Sequence, residues 1–171
     1  TPPGILAVVP FVDLPAPARP SLVLIVDGVA TPGNLGTLLR SAEAAGVELV
    51  LLTPHSTDAF GPKVVRGGTG VHFRLPLVRN AAWLLIAGHV REMTVYLADA
   101  GASQSYDAVD WRRPAALIVG SEAHGPSEDA RALAAALIRI PMRGQTESLN
   151  AGVAGSIILF EAARQRRQPA G

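Results

Sequence analysis

Residues 21–52 read SLVLIVDGVATPGNLGTLLRSAEAAGVELVLL, and their pattern decides the fold class. Leu22 to Val26 is an unbroken apolar run closed by Asp27 and Gly28, as expected of a strand buried on both faces. After Thr31-Pro32-Gly33 the spacing predicts a helix from about Asn34 to Ala45. Leu35, Leu38, Leu39 and Ala42 share one of its faces, and Gly46 stops it. Val47 to Leu52 is a second apolar run. Strand, helix and strand in this order predict an α/β domain with a largely parallel sheet.

The alternation continues downstream. TPHSTDAFGP (53–62) is a turn-rich loop, and Lys63 to Thr69 a short helix weakened by glycines. Phe73 to Val78 reads as strand, Ala81 to Arg91 as helix and Thr94 to Ala98 as strand. Residues 101–113 are polar and irregular. Ala115 to Val119 is another buried strand, Ser127 to Leu137 a helix, Leu137 to Ile140 a strand, and Leu149 to Arg166 the final helix. Upstream, residues 1–20 are rich in Pro and form an arm or linker, with Ile5 to Val9 as an edge strand. Residues 21–171 make up the domain.

The chain has 171 residues, 49% of them hydrophobic and 5% aromatic, so one core of Ala, Val, Leu and Ile is expected. There is no Cys, which excludes disulfides and thiolate metal sites. No apolar run approaches the roughly 18 residues of a membrane span, and the N-terminus has no signal-peptide pattern. A cytoplasmic protein is expected. The net charge is +1, too weak for a strong polyanion field. Of the 15 basic residues only Lys63 is Lys. Arg grips phosphate through a planar fork, although such a bias also follows from genome composition.

In open parallel sheets, ligands sit outside the carboxyl ends of the strands. Three polar, glycine-bearing segments fall there: 27–40, 120–127 and 140–150. The first lacks both the Gly-x-x-x-x-Gly-Lys-Ser/Thr and the Gly-x-Gly-x-x-Gly spacing, which excludes a standard nucleotide phosphate loop and an ordinary dinucleotide-binding oxidoreductase. Its Asn34 reads as an N-cap and Arg40 as a solvated residue, or both serve a site. In the second, Gly120 allows close backbone approach by a ligand. Glu122 is an acceptor or an ion-pair partner, and His124 lacks companions for a metal site. In the third, Ile140-Pro141-Met142 offers an apolar wall. Ser148 is a natural cap for the final helix, which leaves Asn150 and the run Ala151, Gly152, Ala154, Gly155, Ser156 to explain. Tight helix-on-sheet packing and a helix–helix interface both account for such small residues.

Taken in order, these segments carry a resemblance. PGNLGTLLRSAEAAG, LIVGSEAHGPS and IPMRGQTESLNAGVAGSIILFE resemble the three motifs of the SpoU family of the SPOUT superfamily, the S-adenosylmethionine-dependent RNA ribose 2′-O-methyltransferases. FGPKVVRGGTGVHFRLPL is similar to that family's middle segment, and the likeness runs from about Pro3 to Arg166. The third motif departs at Ala151-Gly152, where family members commonly carry a β-branched residue and then Ser. No polar position is lost by that departure.

The resemblance implies a C-terminal deep trefoil knot, a fold that sequence periodicity does not show, and a homodimer across which each active site is completed. It implies S-adenosylmethionine as cofactor, held around Leu97, Gly120, Ile140, Met142, Ser148 and Leu149. The methyl group arrives already activated on a sulfonium, so this chemistry calls for no metal. Asn34, Arg40, Glu122, Ser148 and Asn150 match the family's polar functional positions. Arg40 is the residue usually assigned to activate the hydroxyl. A guanidinium is always protonated, so clamping a substrate phosphate and stabilising charge on the ribose oxygen is the expected role. The Pro-rich start suggests a preceding small RNA-binding domain, as in members acting on ribosomal RNA, which favours ribosomal over transfer RNA. A non-catalytic RNA-binding or assembly module is the alternative from another class.

Overall fold

The computed structural model describes residue 4, residues 7–146 and residues 148–167. Its centre is β1 (Leu22–Asp27), in which all six residues are buried. β2 (Leu49–Leu52) pairs with it in parallel on one side, with Val23 opposite Leu49. β6 (Ala115–Gly120) pairs in parallel on the other, with Leu22 opposite Ala115. Adding β3 (Leu77–Val78), β4 (Thr94–Ala98), β5 (Gln104–Ser105) and β7 (Ala136–Arg139) gives a seven-stranded sheet in the order β3-β2-β1-β6-β4-β7-β5. Every strand pairing is parallel.

Strand alternation divides the core. Leu22, Leu24 and Val26 face α1 (Pro32–Ala44) and α5 (Ala151–Arg167), whose Leu35, Leu38, Ile158 and Leu159 are buried against them. Val23 and Ile25 face α3 (Trp83–Val90) and α4 (Glu128–Leu133) through Ile86, Val90 and Ala130. α2 (Pro62–Gly68) lies on α1, where a Cβ on Gly36 would stand 3.1 Å from the Gly67 Cα. The expected stop at Gly46 is a left-handed turn with φ +83°. The Gly46 N–H donates to the Glu43 carbonyl and the Val47 N–H to the Ala42 carbonyl, closing the helix in a Schellman arrangement.

Four expectations change. α4 ends at Leu133, four residues early, because the Ala135 N–H donates to the Val95 carbonyl and draws the chain into β7. Sheet pairing there outweighs the helix preference of three consecutive alanines. The expected strand 73–78 shrinks to Leu77–Val78, because Val71–Phe73 forms a 3-10 turn entered from left-handed Thr69 and Gly70. Gln104–Ser105, in the segment read as irregular, is the edge strand β5. Ile5 and Leu6 of the expected N-terminal strand lie outside the described residues, and residues 7–9 are not in the sheet. Instead Phe11 packs against Phe60 with ring centroids 4.5 Å apart and planes tilted by 59°, and the Arg79 guanidinium lies 4.9 Å from both ring centres.

The C-terminal half of α5 is tied to the amino ends of the central strands β1 and β6. Arg166 donates to the Ser21 hydroxyl and carbonyl at 2.9 and 2.7 Å and to the Arg113 carbonyl at 2.9 Å. Gln165 accepts from the backbone N–H of fully buried Trp111. No helix among the described residues is long and apolar enough to cross a membrane.

Candidate active site

The carboxyl ends of β6, β4 and β7 open into a cavity of about 570 Å³, walled on one side by Ala154 and Ile158 of α5. The helix geometry of α1 brings the first polar group to its rim. Thr31, not Asn34, occupies the N-cap position, and Pro32 takes the first turn, where its missing N–H removes no bond. Asn34 is therefore not a cap. Its side chain is free to cross to Glu122, 88 residues away, and donates to the Glu122 carboxylate.

The second group comes from the loop before α5. Asn150, not Ser148, caps that helix: its Oδ1 accepts from the Val153 N–H at 3.2 Å, satisfying one of the helix's orphan donors. Its Nδ2 donates to Asn34 Oδ1 at 2.7 Å. The direction of the relay follows from its ends. Val153 can only donate, so the Asn150 oxygen must face it and the Asn150 amine must face Asn34. Asn34 then presents its own amine to a carboxylate oxygen of Glu122, which accepts. One backbone N–H thus orients two amides and a carboxylate.

The run of small residues now has a physical reason. A Cβ on Gly152 would stand 2.9 Å from the Asn34 carbonyl oxygen, and one on Gly155 would stand 2.5 Å from Leu38 Cδ1 and 3.1 Å from Val119. α5 packs on both α1 and the sheet, and the two glycines allow the approach that places Asn150 beside Asn34. Ser156 adds a 2.7 Å hydroxyl contact to Ser41. The departure at Gly152 is thus matched to the Asn34 backbone beneath it.

Gly120 serves differently from expectation. The space a side chain would fill is taken by the chain itself, with Pro126 N 2.8 Å from a Cβ built there. Residues 121–126 fold back over the strand end through a bridge between Ser121 and Gly125. Buried Asp27 fixes the far end of that loop, accepting from the Ser127 N–H at 2.7 Å and from Thr53 Oγ1 at 3.3 Å. Glu122 is presented from this braced loop.

Of the residues expected around the cofactor, Gly120, Ile140, Met142, Ser148 and Leu149 line the cavity. Leu97 does not: it is fully buried on the α3 and α4 side of the sheet, and its neighbours Ala98 and Asp99 line the cavity instead. Arg40 does not either. It lies on the exposed ridge of α1 with Gly33, Thr37 and Ala44 and makes no ion pair or hydrogen bond among the described residues. Sequence reading passed over the ion pair of Asp99 and Arg131, 2.9 Å apart, at the β4 end of the cavity. The position of Asp99 immediately after a strand was the available signal.

The SpoU rRNA Methylase family pattern matches residues 21–160. The chain belongs to the SpoU family. It is 36% identical to mouse mitochondrial rRNA methyltransferase 3 over 85% of its length and 47% of that protein's. It is 39% identical to the 23S rRNA (guanosine-2′-O-)-methyltransferase RlmB of Xylella fastidiosa, over 85% of this chain and 59% of that one. Among solved structures it resembles the SpoU methyltransferase AviRb of Streptomyces viridochromogenes, in complex with the cofactor AdoMet, at a TM-score of 0.81 and 33% identity. That match covers 88% of this chain and 63% of AviRb. The chain therefore spans about half to two-thirds of the length of these SpoU relatives. The parallel seven-stranded sheet flanked by helices is the SpoU architecture.

Proposed function

We propose that this chain is the catalytic unit of an S-adenosylmethionine-dependent RNA 2′-O-ribose methyltransferase acting on ribosomal RNA. The observation that carries this reading is the Glu122–Asn34–Asn150 relay at one end of a cavity sized for a small-molecule cofactor. The lining suits that cofactor. Ile140, Met142, Leu149 and Ile158 offer apolar surface for an adenosine, and the two ends of the cavity are polar.

When bound, the cofactor supplies a methyl group activated on a sulfonium. The rest is positioning by the protein. Glu122 has no cationic partner among the described residues, so its charge favours a cationic group in the cavity. Asn34 and Asn150 hold Glu122 and orient the substrate ribose. Ser148 adds a hydroxyl at the same end. Arg40 grips a phosphate beside the target nucleotide, and its guanidinium stabilises charge developing on the ribose oxygen. The proton leaves to that phosphate or to water.

Because Arg40 stands outside the cavity of its own chain, we place a homodimer seam along the face it shares with α5. Val153 and Phe160, 44% and 46% exposed, lie one helical face apart from the Gly152–Asn34 contact and present an apolar stripe there. Ile140, Met142, Ser148, Leu149 and Asn150, between β7 and α5, line the cavity together with Ala98 and Gly120, and we read the connection that carries them as the family's deep trefoil knot. The relatives named as rRNA methyltransferases support ribosomal over transfer RNA.

Titration calorimetry with S-adenosylmethionine, with NADH as the control, tests the cofactor. Binding of the former alone, weakened by Leu149→Arg, is expected; binding of neither overturns the proposal. Transfer of a labelled methyl group to ribosomal but not transfer RNA tests the substrate.

A further inference from the structure

Resting on the cavity as an S-adenosylmethionine site, we infer that Asp99 is the acceptor for the cofactor's ribose diol and that Arg131 is the residue that positions it. Asp99 directly follows β4, and its N–H donates to the Ile138 carbonyl at 2.9 Å, which seats it between the ends of β4 and β7. Its side chain, 18% exposed, lines the cavity and is held at both oxygens. Oδ1 accepts from the Gly101 N–H at 2.8 Å, and Oδ2 meets Arg131 Nη1 at 2.9 Å.

The chemistry of that carboxylate selects its ligand. A carboxylate offers about four lone-pair sites. One on each oxygen is used inside the chain, which leaves one on each for a ligand in the cavity that Asp99 lines. Two adjacent O–H donors match this pair of acceptors, and a vicinal diol provides them. A cationic ligand group is the poorer match, because Arg131 already neutralises Asp99. The uncompensated charge in the cavity belongs to Glu122 at the other end.

The distance between the two ends suits an elongated ligand. Neighbouring strands lie about 4.8 Å apart, so Asp99, seated between the ends of β4 and β7, stands ~7 Å from the end of β6. Glu122 follows β6 and Asp99 sits between β4 and β7. A ligand with its diol on Asp99 therefore points its other end toward Asn34 and Glu122. Acidic residues at the ends of parallel strands recognise ribose hydroxyls in other nucleoside sites by the same chemistry. Asp99 and Arg131 thus act on specificity for a ribonucleoside cofactor, apart from the groups that handle the RNA ribose.

Calorimetry with S-adenosylhomocysteine and its 2′-deoxy counterpart tests this without catalysis. The unmodified chain should prefer the ribose form by about 10- to 100-fold, the worth of a hydrogen bond to a charged group. Asp99→Ala should erase that preference while the chain still unfolds cooperatively. Asp99→Asn, nearly the same in shape, should reduce it. Arg131→Lys, which keeps the charge, should preserve more of it than Arg131→Met. If Asp99→Ala weakens the ribose and deoxyribose forms equally, or leaves the preference intact, the assignment is wrong although the cavity is a cofactor site. If the unmodified chain binds neither compound, the cofactor reading falls and this assignment falls with it.

Discussion

The Asn150 side chain donates to Asn34 Oδ1 at 2.7 Å, joining residues 116 positions apart, while its own oxygen caps α5. One side chain therefore links the helix start to the polar end of the cavity, and its two functions can be separated. Asn150→Ala loses both and should destabilise the chain by about 1 kcal/mol, the usual worth of a cap. Asn150→Asp keeps the cap acceptor but cannot donate to Asn34, and adds a negative charge near Glu122. Denaturant titration should find the Asp variant more stable than the Ala variant, and single-turnover methylation should find both impaired. Full activity in Asn150→Asp would contradict the relay.

Gly152 and Gly155 are expected to respond differently to added volume. Gly152→Ala forces a methyl against the Asn34 backbone, which cannot rotate away. It should cost about 1–3 kcal/mol and weaken S-adenosylmethionine binding by lifting Asn150. Gly155→Ala meets the Leu38 and Val119 side chains, away from the relay. It should lower stability with a smaller effect on affinity. Parallel thermal melts and calorimetry compare the two.

Arg40→Lys addresses how the hydroxyl is activated. If the guanidinium clamps phosphate and stabilises charge, a point charge replaces it poorly and the rate falls by about 100-fold at every pH. Recovery at high pH would instead show that Arg40 handles a proton. Arg40 is exposed, and replacing it should leave the melting temperature within about 2 °C of the original.

A pH effect is expected at the end of α5. The side-chain hydrogen bond from Arg164 holds the Glu161 carboxyl below its ordinary value, and Gln165 donates to it as well. A carboxylate whose folded pKa is depressed stabilises the fold above its unfolded pKa, and that stabilisation is lost as the pH falls through the folded one. Glu161→Gln should therefore melt earlier than the original at pH 7. The gap should close as the pH is taken down through and below the ordinary carboxylate range. Melting curves across that range decide it.

The α/β alternation is legible in the sequence because buried parallel strands are continuous apolar runs such as Leu22 to Val26 and Ala115 to Val119. Boundaries are less legible where one stretch suits two structures. Ala134 to Leu137 of RALAAALIRI suit a helix as well as a strand, and pairing with β4 and β5 decides that the strand starts at Ala136. The polar site residues stand in recognisable motifs, yet their connections do not. Nothing local distinguishes Ser148 from Asn150 as the cap of α5, because the choice depends on Asn34 lying under the helix start. Asp99 escapes notice because its partner Arg131 is remote in sequence and belongs to a helix unmarked by any motif.

The relay and the Arg166 clamp have a consequence for how the chain reaches its native state. Asn34 meets Asn150 across 116 residues, and Ser21 meets Arg166 across 145. Both contacts close loops spanning most of the polypeptide, and loop-closure entropy must be met before either stabilises anything. A nascent chain can pair β1 with β2 early, while Asn34 has no Asn150 to meet until the start of α5 has been synthesised. The sheet face of Leu22, Leu24 and Val26, covered in part by α1, therefore stays partly exposed until α5 has been made. Completion of the site and closure of the core on the α1 side are one late kinetic event, so a chain without α5 has neither.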